Sequence, residues 1–166
     1  MEHLWAPWRR AFVTGEKPVG CIFCQFSAET GPGEDRRNLV LGRTEYSFAV
    51  LNKYPYNNGH LMVMPKRHLG DFTKLSEAEL LDLHRLLQTS VRLVNEVYSP
   101  EGANLGMNLG VDAGMGVVGH LHWHVVPRWR GDTNFMPVVA GTKVMVEHLD
   151  TTWEALRPRF DQALSV

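Results

Sequence analysis

Only two cysteines occur in the 166 residues, Cys21 and Cys24. That is too few for a disulfide scaffold and points to a reducing, cytoplasmic setting. No apolar run approaches the roughly 18 residues that a transmembrane helix requires. The opening stretch, Met1 to Arg10 (MEHLWAPWRR), lacks the apolar segment of a secretory signal. Excess charge of either sign is missing too: 17 basic residues face 18 acidic ones, a formal net charge of −1. A near-neutral chain gives no electrostatic case for nucleic acid or an anionic membrane as a partner. No period and no low-complexity segment is present, so repeat architectures are excluded.

What is there suits one globular domain over residues 1–166, with 44% hydrophobic and 21% charged residues. The first twenty residues are rich in aromatics and proline and read as an irregular wrap. Ser27 to Arg37 (SAETGPGEDRR) is polar around Gly31-Pro32-Gly33 and reads as an exposed loop. Strand-like runs Asn38–Leu41 and Tyr46–Leu51 flank a hairpin connection at residues 42–45, and His60–Met64 reads as a buried strand. Ser76 and Glu79 form a capping-box pattern. Leu80, Leu83, Leu87, Val91, Val94 and Val97 follow at helical spacing, a stripe best explained by core packing. Two more strands are expected at Ala103–Leu109 and Leu121–Pro127. A last helix starts near Thr151, capped by Asp150, with Pro158 kinking it or delaying its start. This order predicts an α+β fold around a mainly antiparallel sheet, with one long helix and a C-terminal helix.

The most informative stretch is His120-Leu121-His122-Trp123-His124-Val125-Val126. In a strand, alternate side chains share a face, so three imidazoles point one way and apolar residues the other. One reading is a metal held by all three. The outer two stand about 13 Å apart along a strand, whereas zinc needs nitrogens at about 2.1 Å, so a division of labour is easier. The other reading is nucleophilic attack on phosphorus by a neutral imidazole whose second nitrogen is held as a donor. The preceding loop, residues 108–119, has glycines at 110, 114, 116 and 119 that let main-chain amides crowd an oxyanion. Cys21 and Cys24 form a CxxC, open to three readings: half a zinc site, a redox pair, or two unrelated buried thiols. No βαβ pattern surrounds it, which counts against a thioredoxin-like role.

The run His120 to Val126 fits the signature of the histidine triad superfamily, His-φ-His-φ-His-φ-φ with φ apolar, and the chain resembles that family. Leu51 to His68 (LNKYPYNNGHLMVMPKRH) resembles its other landmark. Val126 to Val138, Trp5-Ala6-Pro7-Trp8-Arg9 and Cys21-Ile22-Phe23-Cys24 are similar to the bacterial diadenosine tetraphosphate phosphorylase branch.

The resemblance implies a dimer joining two five-stranded sheets. It implies that His122 attacks the α-phosphorus to form a nucleotidyl-histidine, while His124 binds the phosphate and helps hold the reactive tautomer. Asn108 and the amides of Gly116 and Val117 would bind phosphate oxygens, Asn52 the ribose, and Phe48 and Leu51 would line the base pocket. By similarity to zinc-bearing relatives, His68 and His120 would complete a structural zinc site with Cys21 and Cys24, closed and tetrahedral. Two departures from the family pattern stand out. Gly116 and Val117 align where many relatives carry Gln-Ser, so a hydroxyl that assists leaving-group departure is missing. Asn52 replaces a frequent aspartate, keeping hydrogen bonding without the charge.

The function this implies is cleavage of a dinucleoside polyphosphate such as diadenosine tetraphosphate, with inorganic phosphate as acceptor. Alternatives are a hydrolase releasing a nucleoside monophosphate from such substrates or from phosphoramidates, a nucleotide-binding regulatory module, and a metal-dependent hydrolase.

Overall fold

The computed structural model describes residues 20–117, 119–133, 145 and 147–165. The Trp5–Arg9 motif, the irregular N-terminal wrap up to residue 19 and the end of the Val126–Val138 run lie outside the described residues. The elements are α1 (Ile22–Ala28), α2 (Pro32–Arg37), β1 (Val40–Arg43), β2 (Ser47–Leu51), β3 (Leu61–Pro65), a 3₁₀ turn (Phe72–Lys74), α3 (Glu77–Tyr98), β4 (Gly102–Met107), β5 (Trp123–Arg128) and α4 (Leu149–Leu164). The strands form one antiparallel sheet in the order β1-β2-β3-β5-β4, the α+β architecture expected.

Alternation along the strands sorts two apolar layers. Leu41, Ala49, Leu51, Leu61, Val63 and Val125 pack with α3 and α4. Val40, Phe48, Val50, Met62 and Met64 face the other way, towards Phe23 of α1. A row of paired residues crosses this second face: Val40, Val50, Met62, His124 and Gly106. The sheet thus carries one histidine of the run directly beside an apolar floor.

Helix α3 starts where its capping box lies, with both reciprocal bonds between Ser76 and Glu79 present. Its buried stripe is centred on Leu83, Leu86, Leu87, Leu93 and Val94, whereas Leu80 is 37% exposed. Each fully buried leucine contributes about 1.5–3 kcal/mol.

Residues 27–37 are not an exposed loop: they finish α1 and form α2, separated by residues 29–31. Pro32 presets the first turn, Glu34 and Asp35 lie at its positive end, and Asp35 is buried against Arg43 and Arg157. Gly42 and Arg43 belong to β1 rather than to the hairpin turn. A Cβ on Gly42 would stand 2.6 Å from Leu164 Cδ1, so the glycine lets α4 lie directly on the strand. Helix α4 begins at Leu149, with His148 at the N-cap and Asp150 in the first turn, and runs through Pro158. Leu156 and Phe160, both fully buried, hold the helix on either side of the proline. Strand β5 starts at Trp123, so His120, at a bend, and His122 precede it, and between them Leu121 N–H donates to Leu69 O at 2.8 Å.

Candidate active site

The three histidines of the run divide between two neighbouring sites. His122 is 3% exposed, and its Nδ1–H donates to the carbonyl of His120 at 2.8 Å. That bond leaves the Nε2 lone pair as the ring's free basic position. Burial pushes the His122 pKa down from its ordinary value, against the smaller opposing effect of the His120 carbonyl. His124, half-buried, sits beside it with ring centroids 5.0 Å apart. Burial, and then its charged-state repulsion with His122, lowers the His124 pKa to about 4, so both rings are neutral at pH 7.

The tautomer of His124 follows from a chain of bonds. The main-chain N–H of Tyr56 donates to His60 Nδ1 at 2.9 Å, which makes that nitrogen an acceptor. The His60 proton therefore lies on Nε2, which is 2.9 Å from His124 Nδ1 and donates to it. His124 must then carry its own proton on Nε2. A free lone pair on His122 thus neighbours a free N–H on His124, the pairing needed to attack a phosphoryl group and bind its oxygens.

Both rings border a cleft of about 330 Å³. Ile22, Phe23 and Phe26 of α1 wall it, and Val50 and Met62 form part of its floor. Among the described residues no aspartate or glutamate lines it, whereas Arg37 and Lys53 do. Gly114, Gly116 and Val117 close the side near the histidines. The main-chain N–H groups of Gly116 and Val117 have no protein partner among the described residues. Such a cleft suits an apolar ring system bearing phosphates. A second cavity of about 360 Å³ lies beyond His124 and Tyr56, which border both, and is lined by Asn57, Asn104, Asn108, Arg128, Asp132 and Thr133 among others.

The residues singled out from the sequence are distributed as follows. Asn52 lines the cleft; its Oδ1 accepts the Tyr54 N–H at 2.9 Å, and its Nδ2 lies 3.4 Å from His60 Nδ1. Leu51 borders the cleft, while its side chain belongs to the helix-side core. Phe48 is fully buried in the layer with Phe23 and is not on the cleft wall. Asn108 borders the second cavity and donates from Nδ2 to Gly114 O at 3.3 Å, bracing the glycine loop.

His120 joins the other site. The ligand atoms of Cys21, Cys24, His68 and His120 all lie within 4.8 Å of one another. Cys21 Sγ and Cys24 Sγ stand 3.3 and 3.6 Å from His120 Nδ1, and Cys24 Sγ is 3.3 Å from His68 Nδ1. Sulfur at about 2.3 Å and nitrogen at about 2.0 Å from a tetrahedral zinc lie about 3.6 Å apart, so the donor set fits that ion. His120 Nε2–H donates to Pro65 O at 2.8 Å, leaving Nδ1 as the ligating nitrogen. Burial, and next the Cys21 thiol, push the Cys24 pKa up. Close backbone approach makes the cluster attainable: a Cβ on Gly70 would lie 2.9 Å from Gly119 Cα, between His68 and His120 in the chain.

Phe26, Lys53 and Tyr56 also line the cleft, and no local pattern in the sequence marks them. Ile22 and Phe23 were visible inside the CxxC, but nothing local shows that they face a cleft.

Three comparisons bear on this arrangement. The HIT domain family matches residues 34–131. The AP-4-A phosphorylase of Mycobacterium tuberculosis (strain ATCC 25618 / H37Rv) is 39% identical over 158 residues, covering 92% of this chain and 80% of that protein. The asymmetrical bis(5'-nucleosyl)-tetraphosphatase of Schizosaccharomyces pombe is 36% identical over 93 residues, 56% of this chain and 50% of that protein. Among solved structures, a Zn-bound histidine triad family protein from Mycobacterium smegmatis shares the fold, with a TM-score of 0.67 at 24% identity over 88% of this chain and 96% of that one.

Proposed function

The chain belongs to the HIT family, and from that premise we propose that it cleaves dinucleoside polyphosphates, diadenosine tetraphosphate among them, with inorganic phosphate as acceptor. The observation that carries this reading is the paired tautomers: the His122 Nε2 lone pair beside the His124 Nε2–H, in a cleft that no carboxylate lines among the described residues. In the first step His122 Nε2 bonds to the α-phosphorus and the P–O bond to the nucleoside polyphosphate breaks, that group leaving with the electron pair. His124 donates its hydrogen bond to the phosphoryl oxygens, and the amides of Gly116 and Val117 add theirs, with Asn108 bracing the loop. In the second step a phosphate oxygen attacks the same phosphorus and the P–N bond breaks, returning His122 and releasing a nucleoside diphosphate. The nucleobase occupies the apolar cleft between α1 and the sheet, and Asn52 meets the ribose.

Val117 in the glycine loop supplies no hydroxyl to the leaving group, so the first step relies on the His124 donor and the loop amides. The test is the product profile from diadenosine tetraphosphate with and without phosphate, with His122→Ala as control. ADP and ATP formed only with phosphate support the reading. AMP and ATP formed without phosphate point to an asymmetric hydrolase instead. A His122→Ala protein that retains turnover removes His122 as nucleophile. Unaltered substrate that still binds tightly leaves a regulatory nucleotide-binding module.

Cys21, Cys24, His68 and His120 would hold a zinc ion that ties α1 to the start of the histidine run. Four protein ligands leave that ion no open position, so its contribution is structural. Metal analysis of protein purified without added zinc tests this, and a metal-dependent hydrolase would instead lose turnover at once on chelation.

A homodimer is the proposed assembly. Strand β4 is one edge of the sheet, paired among the described residues only with β5, and Gly102–Gly106 are exposed along it, Leu105 at 48%. An edge of this kind is a template for pairing with another strand. Light scattering on the eluted protein reads the mass directly and separates dimer from higher oligomer. Among the described residues no helix is long and apolar enough to cross a membrane. With two free thiols beside histidines, a reducing cytoplasm is the proposed location.

A further inference from the structure

Phe23 lies between the two cysteines in the chain and is 1% exposed. Its ring centroid is 5.4 Å from that of His120 and 5.2 Å from that of His122, at interplanar angles of 81° and 61°. One ring therefore stands edge-to-face against a member of the Cys/His cluster and against the histidine at the reactive end of the cleft. It also walls the cleft, as does Ile22, the other residue between the thiols.

Helix α1 has seven residues. A helix that short has too little hydrogen bonding of its own to hold a position in water. Anchoring Cys21 and Cys24 to His68 and His120 pins the chain on both sides of Ile22 and Phe23. A wall fixed in advance does not have to be ordered when a ligand arrives, and that saving appears as affinity. Resting on the zinc and nucleotide assignments above, we infer that Phe23 is a positioning residue that couples the two sites: metal in the cluster raises affinity for nucleotide in the cleft. By linkage, nucleotide then raises affinity for the metal by the same factor.

His120 offers a competing route, because its carbonyl accepts the His122 Nδ1–H at 2.8 Å. That route reaches the reactive imidazole and not the apolar wall. General stabilisation of the fold by either ligand is a third source of coupling. Neither of these depends on the aromatic ring, and a substitution at Phe23 separates them from the inference.

The experiment measures Zn²⁺ affinity of the full chain against a chromophoric chelator, with and without saturating AMP, and AMP affinity of the loaded and depleted protein. In the wild type each ligand is expected to tighten the other by about fivefold or more, the usual scale of coupling between sites. Phe23→Leu should still bind both, with the mutual effect reduced to about twofold or less. Met62→Ala trims the same cleft from β3, and should weaken AMP while the coupling persists. Phe23→Met replaces the leucine variant where that one does not fold. Equal affinities with and without the second ligand in the wild type would overturn the inference. So would full coupling in Phe23→Leu, which would assign it to the His120 carbonyl or to the fold as a whole. Failure of the wild type to bind AMP or Zn²⁺ at all strikes the site assignments themselves, and the inference falls with them.

Discussion

His60 and His124 lie 64 positions apart in sequence, yet their facing nitrogens, Nε2 and Nδ1, are 2.9 Å apart. The Tyr56 main-chain N–H on the far nitrogen of His60 gives the pair a direction, so His124 presents a donor and not a lone pair to the cleft. The Tyr56 ring stacks on His124 at 5.7 Å and 29°, which limits the ring's rotation. His60→Ala removes the donor that fixes the tautomer while leaving His122 in place. The expected result is a fall in kcat of about tenfold with little change in KM, against about a hundredfold or more for His124→Ala, as for loss of a proton donor. Steady-state rates with diadenosine tetraphosphate and phosphate decide it. Equal losses in the two variants would show that His60 does more than orient its neighbour.

Among the described residues the cleft lining has two cations and no carboxylate, and Lys53 is exposed with no ion-pair partner. Arg37, the other cation, is already held by Glu29 at 2.8 Å. Lys53 is therefore the charge free to attract a polyphosphate. Lys53→Glu should raise KM about fivefold at low salt and much less at 0.3 M, because an exposed charge is screened over about 6–10 Å in that range. A KM change insensitive to salt would mean that Lys53 contacts the substrate directly.

Much of this was legible from local pattern, and the rest depends on contacts remote in sequence. The Ser76–Glu79 capping box and the apolar period after it place α3 to the residue, since both signals are local. Helices α1 and α2 have seven and six residues, too few to show a helical period, so Gly31-Pro32-Gly33 reads as a turn. Strand spacing makes a division of labour among the three histidines easier than convergence on one ion. Which of them leaves the group depends on where Cys21 and Cys24 pack, and that is set by Phe23 of α1 packing on the sheet. Phe48 and Val50 share a face, and alternation does not distinguish them. Only the register, with Val50 opposite Met62 and Met62 opposite His124, puts Val50 on the cleft floor and leaves Phe48 beneath.

Asp35 connects α2, β1 and α4. Its carboxylate takes Arg43 on one oxygen and Arg157 Nη1 at 2.8 Å on the other, with the aspartate side chain 9% exposed. Arg43 in turn donates from Nη2 to the carbonyls of Phe26 and Glu29, both at 2.8 Å, closing the end of α1. Asp35→Asn leaves Arg43 in a low-dielectric setting without its counter-charge and Arg157 with Asp161 alone, at a cost of about 3 kcal/mol. The end of α1 loosens with them, and Phe26 is on the cleft wall. Thermal unfolding should therefore shift down together with AMP affinity. A large loss of stability with unchanged AMP binding would separate this ion cluster from the cleft.

Glu79 combines a cap and an ion pair, and its pH response has a definite sign. Its Oε1 accepts Arg67 Nε–H at 2.7 Å, and its Oε2 accepts Arg67 Nη2–H at 2.8 Å and the Ser76 N–H at 2.9 Å. The Arg67 hydrogen bond first, then the Ser76 N–H, lower the pKa from 4.5 to about 2. A carboxyl group whose folded pKa is depressed stabilises the fold fully above its unfolded pKa. That contribution fades as pH falls from about 4.5 towards 2, where the folded state also takes up the proton. Glu79→Gln keeps one cap acceptor and loses the charge. It should cost about 1–2 kcal/mol at pH 7, the scale of a lost cap with a charged partner, or a few degrees in Tm. Between pH 5 and pH 2.5 the gap between the two unfolding curves should narrow, because the wild type loses what the variant never had. A gap that stays constant through that range would mean that the carboxylate's charge contributes nothing and that shape alone makes the cap.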